Sequence, residues 1–470
     1  MNTVSGNSAS SKPGTPSAST VPTQPLYQAY PTYTTTPHTV VYIPPVPQRR
    51  RSFCGWLLRA FMVFLAFFIV LKSISYLVRG SIDIGPLPIE PSQWSYDIPT
   101  EVNYDGCISG DKWKPWNKGT FSGFPYSSTT SFDVPLADGL YLLERGQLSG
   151  GRATYTTSSG QPSGTAKVQI TGWYHRRDLF GLVKACSVQR SNWNKENGVG
   201  IFTPRWSRWY YHWRREDKVN FDIVVTLPEG ASKASPRLIK SFVTDIPNTS
   251  QELQDLSSLL FDSITIKGSN SAIKVAALRA HEGTLITSNG HISGKFDTDS
   301  NLSLKTSNGG IDIDVALSAN KTDSTIKLNA VTSNAKMRAG VSLLSSKHEG
   351  GNFEVTTKTS NGRSSVSIPD APVDSKLLLT STTSNAHADV SLHPTYEGKF
   401  VVTTSRSSKI EVIVDDKVKD PSGQQRKRSR VGLSRRGSHS GEVFWGDKSE
   451  KTKDGVVKLA TSNGEAILSL

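Results

Sequence analysis

The chain has 470 residues, 20% charged and 36% hydrophobic, with three cysteines and a formal net charge of +14. That balance excludes a multi-span membrane protein and a coiled coil, and three cysteines exclude a disulfide-dense scaffold or a multi-cysteine zinc cluster. The charge is local: residues 1–82 carry seven basic and no acidic residues, 417–436 carry eight basic residues and Asp420, and the remainder sums to zero, so no phosphate-tracking surface and no nucleic-acid partner is implied.

Residues 1–50 hold nine prolines among many Ser and Thr, too little apolar surface to offset ordering, and read as a disordered cytosolic tail. Within it Pro44, Pro47 and Arg49 keep the PxxPx-basic spacing that SH3-type partners accept. Residues 53–78 read as one transmembrane helix in contact with the lipid bilayer. Its uninterrupted apolar run, Ala60 to Leu71, is only twelve residues. Arg59 and Lys72 flank that run, however, and Trp56 and Tyr76 stand about 30 Å apart along a helix, as interfacial anchors do. The competing reading is a buried helix of a soluble domain.

Basic residues gather before the span (Arg49, Arg50, Arg51 and Arg59), so the amino terminus is expected to be cytosolic and the carboxyl-terminal domain extracellular or lumenal. The result is a single-pass type II arrangement with 79–100 as a juxtamembrane linker. Three glycosylation sequons, at Asn248, Asn301 and Asn320, follow the span. With Cys54 at the membrane, Cys107 and Cys186 remain as a pair, either bonded in an oxidising compartment or buried as free thiols.

Eight of the ten Trp residues lie between Trp94 and Trp213, which marks 101–250 as a different kind of structure from 251–470. Segments 140–143, 167–174 and 219–227 read as strands of a small β-sandwich-like region. Trp206, Trp209, Tyr210, Tyr211 and Trp213 crowd among four arginines. They form either a recognition surface of stacking rings or, the preferred reading, a turn whose aromatics cover the adjoining sheet.

From about residue 264 a T-S-N-G/A motif recurs, its Asn at Asn270, Asn289, Asn308, Asn334, Asn361, Asn385 and, after an insertion, Asn463. The intervals through Asn385 are 19, 19, 26, 27 and 24 residues. Around Asn308 the positions −6, −4, +3, +5 and +7 are Leu302, Leu304, Ile311, Ile313 and Val315. Over seven copies 30 of 35 such positions are apolar, against 5 of 28 between them, which is the period of strands with one buried face. Asn and Gly are expected to form a corner because both tolerate positive φ, and the Thr two residues before Asn to satisfy corner backbone groups. Hairpins in a meander and stacked strand–arc–strand coils both fit; a β-solenoid is preferred, because coils cover their own interior. A copy at Thr404–Ser407 has lost its Asn, with Ile410, Val412 and Val414 as its strand. The basic insertion 417–441 is expected to be a disordered loop, with a protease-processing site or an anionic-glycan patch as alternatives.

These T-S-N-G rungs resemble the adhesin-type β-repeat domain of bacterial and fungal proteins. With Gly198-Val-Gly-Ile-Phe-Thr-Pro204, Leu227-Pro228 and Tyr396-Glu397-Gly398, the chain resembles an uncharacterised family of fungal single-pass membrane proteins with such an ectodomain. The resemblance implies an adhesin-like surface module with no assigned activity, cofactor or catalytic residue; the stretch 205–215 and the basic insertion depart from it.

No nucleophile elbow, zincin, P-loop or Rossmann glycine pattern occurs, and no cofactor is expected. Asp297, Asp299, Asp312 and Asp314 form the best carboxylate set, in outward positions of neighbouring rungs. Such acids either perform general acid/base work on a polysaccharide or are simply a solvated strand face. The favoured expectation is a non-enzymatic adhesin-like module contacting cell-wall polysaccharide or other surface partners; the alternative is a polysaccharide-acting enzyme using these four Asp residues.

Overall fold

The computed structural model describes Lys72 and residues 94–470, except 118–122, 149, 191–195, 207–214, 321–323, 347–348, 406, 416 and 447–453. Two compact units divide the chain, Met1–Leu87 and Pro88–Leu470, and every described strand belongs to the second. The tail with Pro44, Pro47 and Arg49 lies outside the described residues, as does 53–78 apart from Lys72.

Among the described residues no helix is long and apolar enough to cross a membrane. The expected transmembrane helix and single-pass type II placement are corrected on that finding. The physical weakness was visible in the segment itself: a twelve-residue apolar run falls short of the about 20 residues a spanning helix needs.

The strands build two layers. In spatial order the first runs through Tyr126–Pro135, Thr165–Tyr174, Val219–Pro228, Gly151–Ser158 and Thr249–Asp255. The second runs through Val102–Ser109, Lys184–Arg190, Asn197–Phe202, Leu140–Arg145, Arg237–Asp245 and Leu259–Lys267. The early pairings are partly antiparallel, while from Thr249 to the last repeats both layers add strands in parallel. Ile273–Ile286 and Ile292–Lys305 are long enough to serve both layers, bending at register shifts after Val275 and Ala280. Later tiers split into two strands, such as Ile311–Ala319 and Thr325–Val331, separated by a short loop. The 19-residue intervals are therefore tiers without that loop, and the longer intervals are tiers with it.

Parallel pairing of tier on tier excludes the hairpin meander. The closed β-solenoid is corrected as well: apart from the two-stranded pair Trp94–Ser95 and Arg205–Trp206, the described strands belong to one mixed 27-stranded sheet, and no sheet closes into a solenoid. Hydrogen bonds run up and down each layer, so the layers remain open and face each other across a shared apolar core. That core is continuous from Val134 and Ile170 through Ile313 and Val341 to Leu468. The change in composition near residue 250 meets no break in it, since Arg237–Asp245 pairs with Leu259–Lys267, and Thr249–Asp255 with Ile273–Ile286.

The order of rungs departs from chain order at the end. Val456–Ala460 inserts between Lys376–Thr382 and Gly398–Thr403, and Ala466–Ser469 between Ala388–Ser391 and Ile410–Ile413. The copy lacking Asn is consequently the outermost tier. Much of the basic insertion, expected to be disordered, is an antiparallel hairpin of Arg428–Arg435 and Ser438–Trp445 laid along Gly398–Thr403. Its outer strand exposes Val431 and Leu433 beside Arg430, Arg435 and Arg436. Charge on a free edge opposes strand addition by another chain.

Candidate functional site

The corners are the most regular feature. Each Asn donates from Nδ2 to Oδ1 of the Asn one tier away: Asn289 to Asn270 at 2.7 Å, Asn308 to Asn289 and Asn334 to Asn308 at 2.6 Å, and Asn361, Asn385 and Asn463 in turn at 2.7 Å. Asn270 extends the ladder to Asn248 at 2.8 Å. In the copies that carry it, the buried Thr works as expected: Thr306 Oγ1 donates to the Gly290 carbonyl (3.0 Å) and accepts from the Gly309 amide (3.2 Å), whereas the Asn270 copy has Gly268 in its place. The expected positive φ is absent, because no corner Asn or Gly is in the left-handed region. Glycine serves close approach instead: a Cβ on Gly309 would stand 1.7 Å from the Gly290 carbonyl oxygen, and one on Gly362 1.8 Å from that of Ala335.

The four Asp residues lie on the outward face of neighbouring strands, and each is engaged. Arg338, one tier on, binds both Asp312 and Asp314, the latter at 3.3 Å. Asp297 pairs with Arg279 (3.2 Å) and accepts from Ser318 (3.0 Å), while Asp299 meets His281 Nδ1 (2.5 Å) and Asn320 Nδ2 (3.3 Å). Register opposes Asp314 to Lys295, and Asp297 to Ala316, so the two pairs of acids occupy different columns. The same pattern of charge neutralised between tiers recurs at Lys327–Glu354 (3.0 Å) and Arg363–Asp389 (2.6 Å). Among the described residues no three His, Cys, Asp or Glu side chains group so as to hold a metal ion.

Of the aromatic cluster, Trp206 is buried, its strand paired with Trp94–Ser95; Trp209, Tyr210, Tyr211 and Trp213 lie outside the described residues. Among the sequons, Asn248 ends the described asparagine ladder, Asn301 is exposed on its strand opposite Lys327, and Asn320 is exposed beside Asp299. Cys107 and Cys186 are joined by a disulfide that ties Val102–Ser109 to Lys184–Arg190.

One buried group gave no sequence signal. Glu144 is fully buried, accepting from the Gly150 amide (3.1 Å) and Thr249 Oγ1 (2.6 Å), and burial pushes its carboxyl from 4.5 up to about 7. Because the folded value is raised, the protein is favoured below the unfolded value and loses stability as pH climbs from about 4.5 through about 7. At 1.36 kcal/mol per unit the loss is on the order of 3 kcal/mol. Glu144→Gln should remove most of this pH dependence and raise the melting temperature at pH 8; an unchanged pH profile would show that another group sets it.

No protein-family model and no curated protein matches the chain. A solved structure, that of a candidate cell adhesion protein from Clostridium sporogenes ATCC 15579, aligns over 73% of this chain and 98% of its own, at 9% identity and a TM-score of 0.15. A superposition that poor lends no support to a shared role, and the fungal membrane-protein resemblance has no counterpart in these comparisons.

Proposed function

We propose that the chain is a non-enzymatic, adhesin-like β-repeat module, which contacts extended polymers such as cell-wall polysaccharide through the outward faces of its tiers. The carrying observation is the engagement of the Asp set. A general acid and base for glycoside cleavage need separate, differently tuned carboxyls flanking the bond. Here Asp312 and Asp314 share one guanidinium, and Asp297 and Asp299 are tied to Arg279, Ser318, His281 and Asn320. Fixed, paired charges on a stack of parallel strands suit a rigid contact surface better than a reaction centre.

The test pairs binding with turnover. The full chain is pelleted with insoluble chitin, β-1,3-glucan and mannan, and the supernatants are assayed for released sugar. The expected result is co-sedimentation with at least one polymer and no release. Sugar release that disappears in Asp312→Asn would establish the enzyme instead.

A further inference from the structure

Residues 426–445 hold six basic residues and one acid, Glu442. Two of the six are engaged: Arg426 binds Asp420, and Arg428 lies over the Trp445 ring. The other four, Lys427, Arg430, Arg435 and Arg436, are exposed, and among the described residues none of them meets a carboxylate. Glu442 stands one strand further in, opposite Val431 and Lys399. The tiers treat arginine differently, since Arg279, Arg338 and Arg363 each hold an acid of a neighbouring strand.

The four cations follow the free edge of an ordered strand. From Lys427 to Arg435 is eight residues, about 27 Å at the rise of an antiparallel strand. The Lys427 carbonyl accepts from the Gly446 amide at 3.0 Å, so odd-numbered residues face the partner strand. The amides of Arg430, Gly432 and Ser434 therefore point outward along the edge, between the charged side chains. Val431 and Leu433 are exposed on the outer face of the same strand.

A single charge is enough to deter strand addition, whereas a row of unneutralised cations repels itself and gains from a counter-anion. Guanidinium groups and aligned amides are donors only, and carboxylates and sulfates are the acceptors that match them. The length of the row suits an extended polyanion better than a single small anion. Entry into a bilayer would leave the edge amides without partners. Nucleic-acid strands gain from exposed rings on which bases stack, and the hairpin's Phe444 and Trp445 are buried. We infer that the edge Lys427–Arg436 is a docking surface for an extended acidic polysaccharide. Lys427, Arg430, Arg435 and Arg436 pair with its anionic groups, and Val431 and Leu433 meet the apolar faces of its rings. This surface is separate from the tier faces and takes a charged polymer rather than a neutral one.

Fluorescence anisotropy of the full chain with labelled polygalacturonate and labelled heparin tests the surface, with phosphatidylserine vesicles and a DNA duplex as competitors. At least one acidic glycan should bind, more weakly as salt is raised. The triple variant Arg430→Gln, Arg435→Gln, Arg436→Gln should lose roughly tenfold or more in affinity while melting stays unaltered. Lys112→Gln, Lys114→Gln, Lys167→Gln removes the same charge from exposed positions outside the hairpin and should retain the affinity. The basic amino-terminal segment is common to all three proteins, so its contribution cancels in the comparison. Wild-type protein that binds neither glycan overturns the inference, as does equal affinity in the two triple variants. Displacement of the glycan by vesicles or duplex at lower concentration than by unlabelled glycan assigns the edge to that other anion and overturns it too. Pelleting with neutral polymers reports on the tier faces alone, so either result can fail while the other stands.

Discussion

Ile313→Lys should abolish the folded state of the repeat layers. Ile313 is fully buried on the inward face, flanked in register by the small residues Gly294 and Ala339, which leave room for its side chain and none for a solvated ammonium. Removing the buried isoleucine costs about 1.5–3 kcal/mol, and an unpaired buried charge costs several more. Against a total stability of about 5–15 kcal/mol, the sum is enough to unfold the region. Ser293→Lys, on the outward face opposite Asp312, should change stability by only about 0.5 kcal/mol. Circular dichroism melts of the two variants supply the comparison, and similar melts would mean that the parity is wrong.

Breaking the Cys107–Cys186 bond should produce the second largest effect. The cross-link spans 79 residues and joins the outermost strand of the second layer to its only neighbour among the described strands. Loss of so long a closed loop typically costs about 2–5 kcal/mol. The double variant Cys107→Ser, Cys186→Ser should therefore have a lower denaturation midpoint. A midpoint unchanged by reduction would show that strand pairing alone secures this edge.

The repeats were legible because period-two burial is written into every copy: Leu302, Leu304, Ile311 and Ile313 are inward in sequence and buried in the structure. Corner chemistry was half legible. The role of Thr306 follows from its inward parity, but close stacking of Gly309 on Gly290 depends on tier spacing, which one copy does not reveal. Rung order at the carboxyl end was hidden, because sequence adjacency places Val456–Ala460 last while hydrogen bonding places it inside Gly398–Thr403. The hairpin at 428–445 was obscured by its charge, although Val431 and Leu433 already alternate with polar residues. Ion pairs between tiers need the register: only it shows that Arg338 stands opposite Asp312.

Stacking of tiers in the order set by the asparagine ladder is tested most directly by spin-label distances. Ser288, Ser384 and Ser462 are exposed beside ladder residues Asn289, Asn385 and Asn463. Labels at Ser288 and Ser384, in a Cys54→Ser background, should lie four strand spacings apart, about 19 Å, and labels at Ser288 and Ser462 five spacings apart, about 24 Å. A separation between Ser384 and Ser462 of one spacing confirms that the last rung sits on the Asn385 tier. Distances that fail to grow by about 5 Å per tier would contradict the stacked layers from which every other expectation follows.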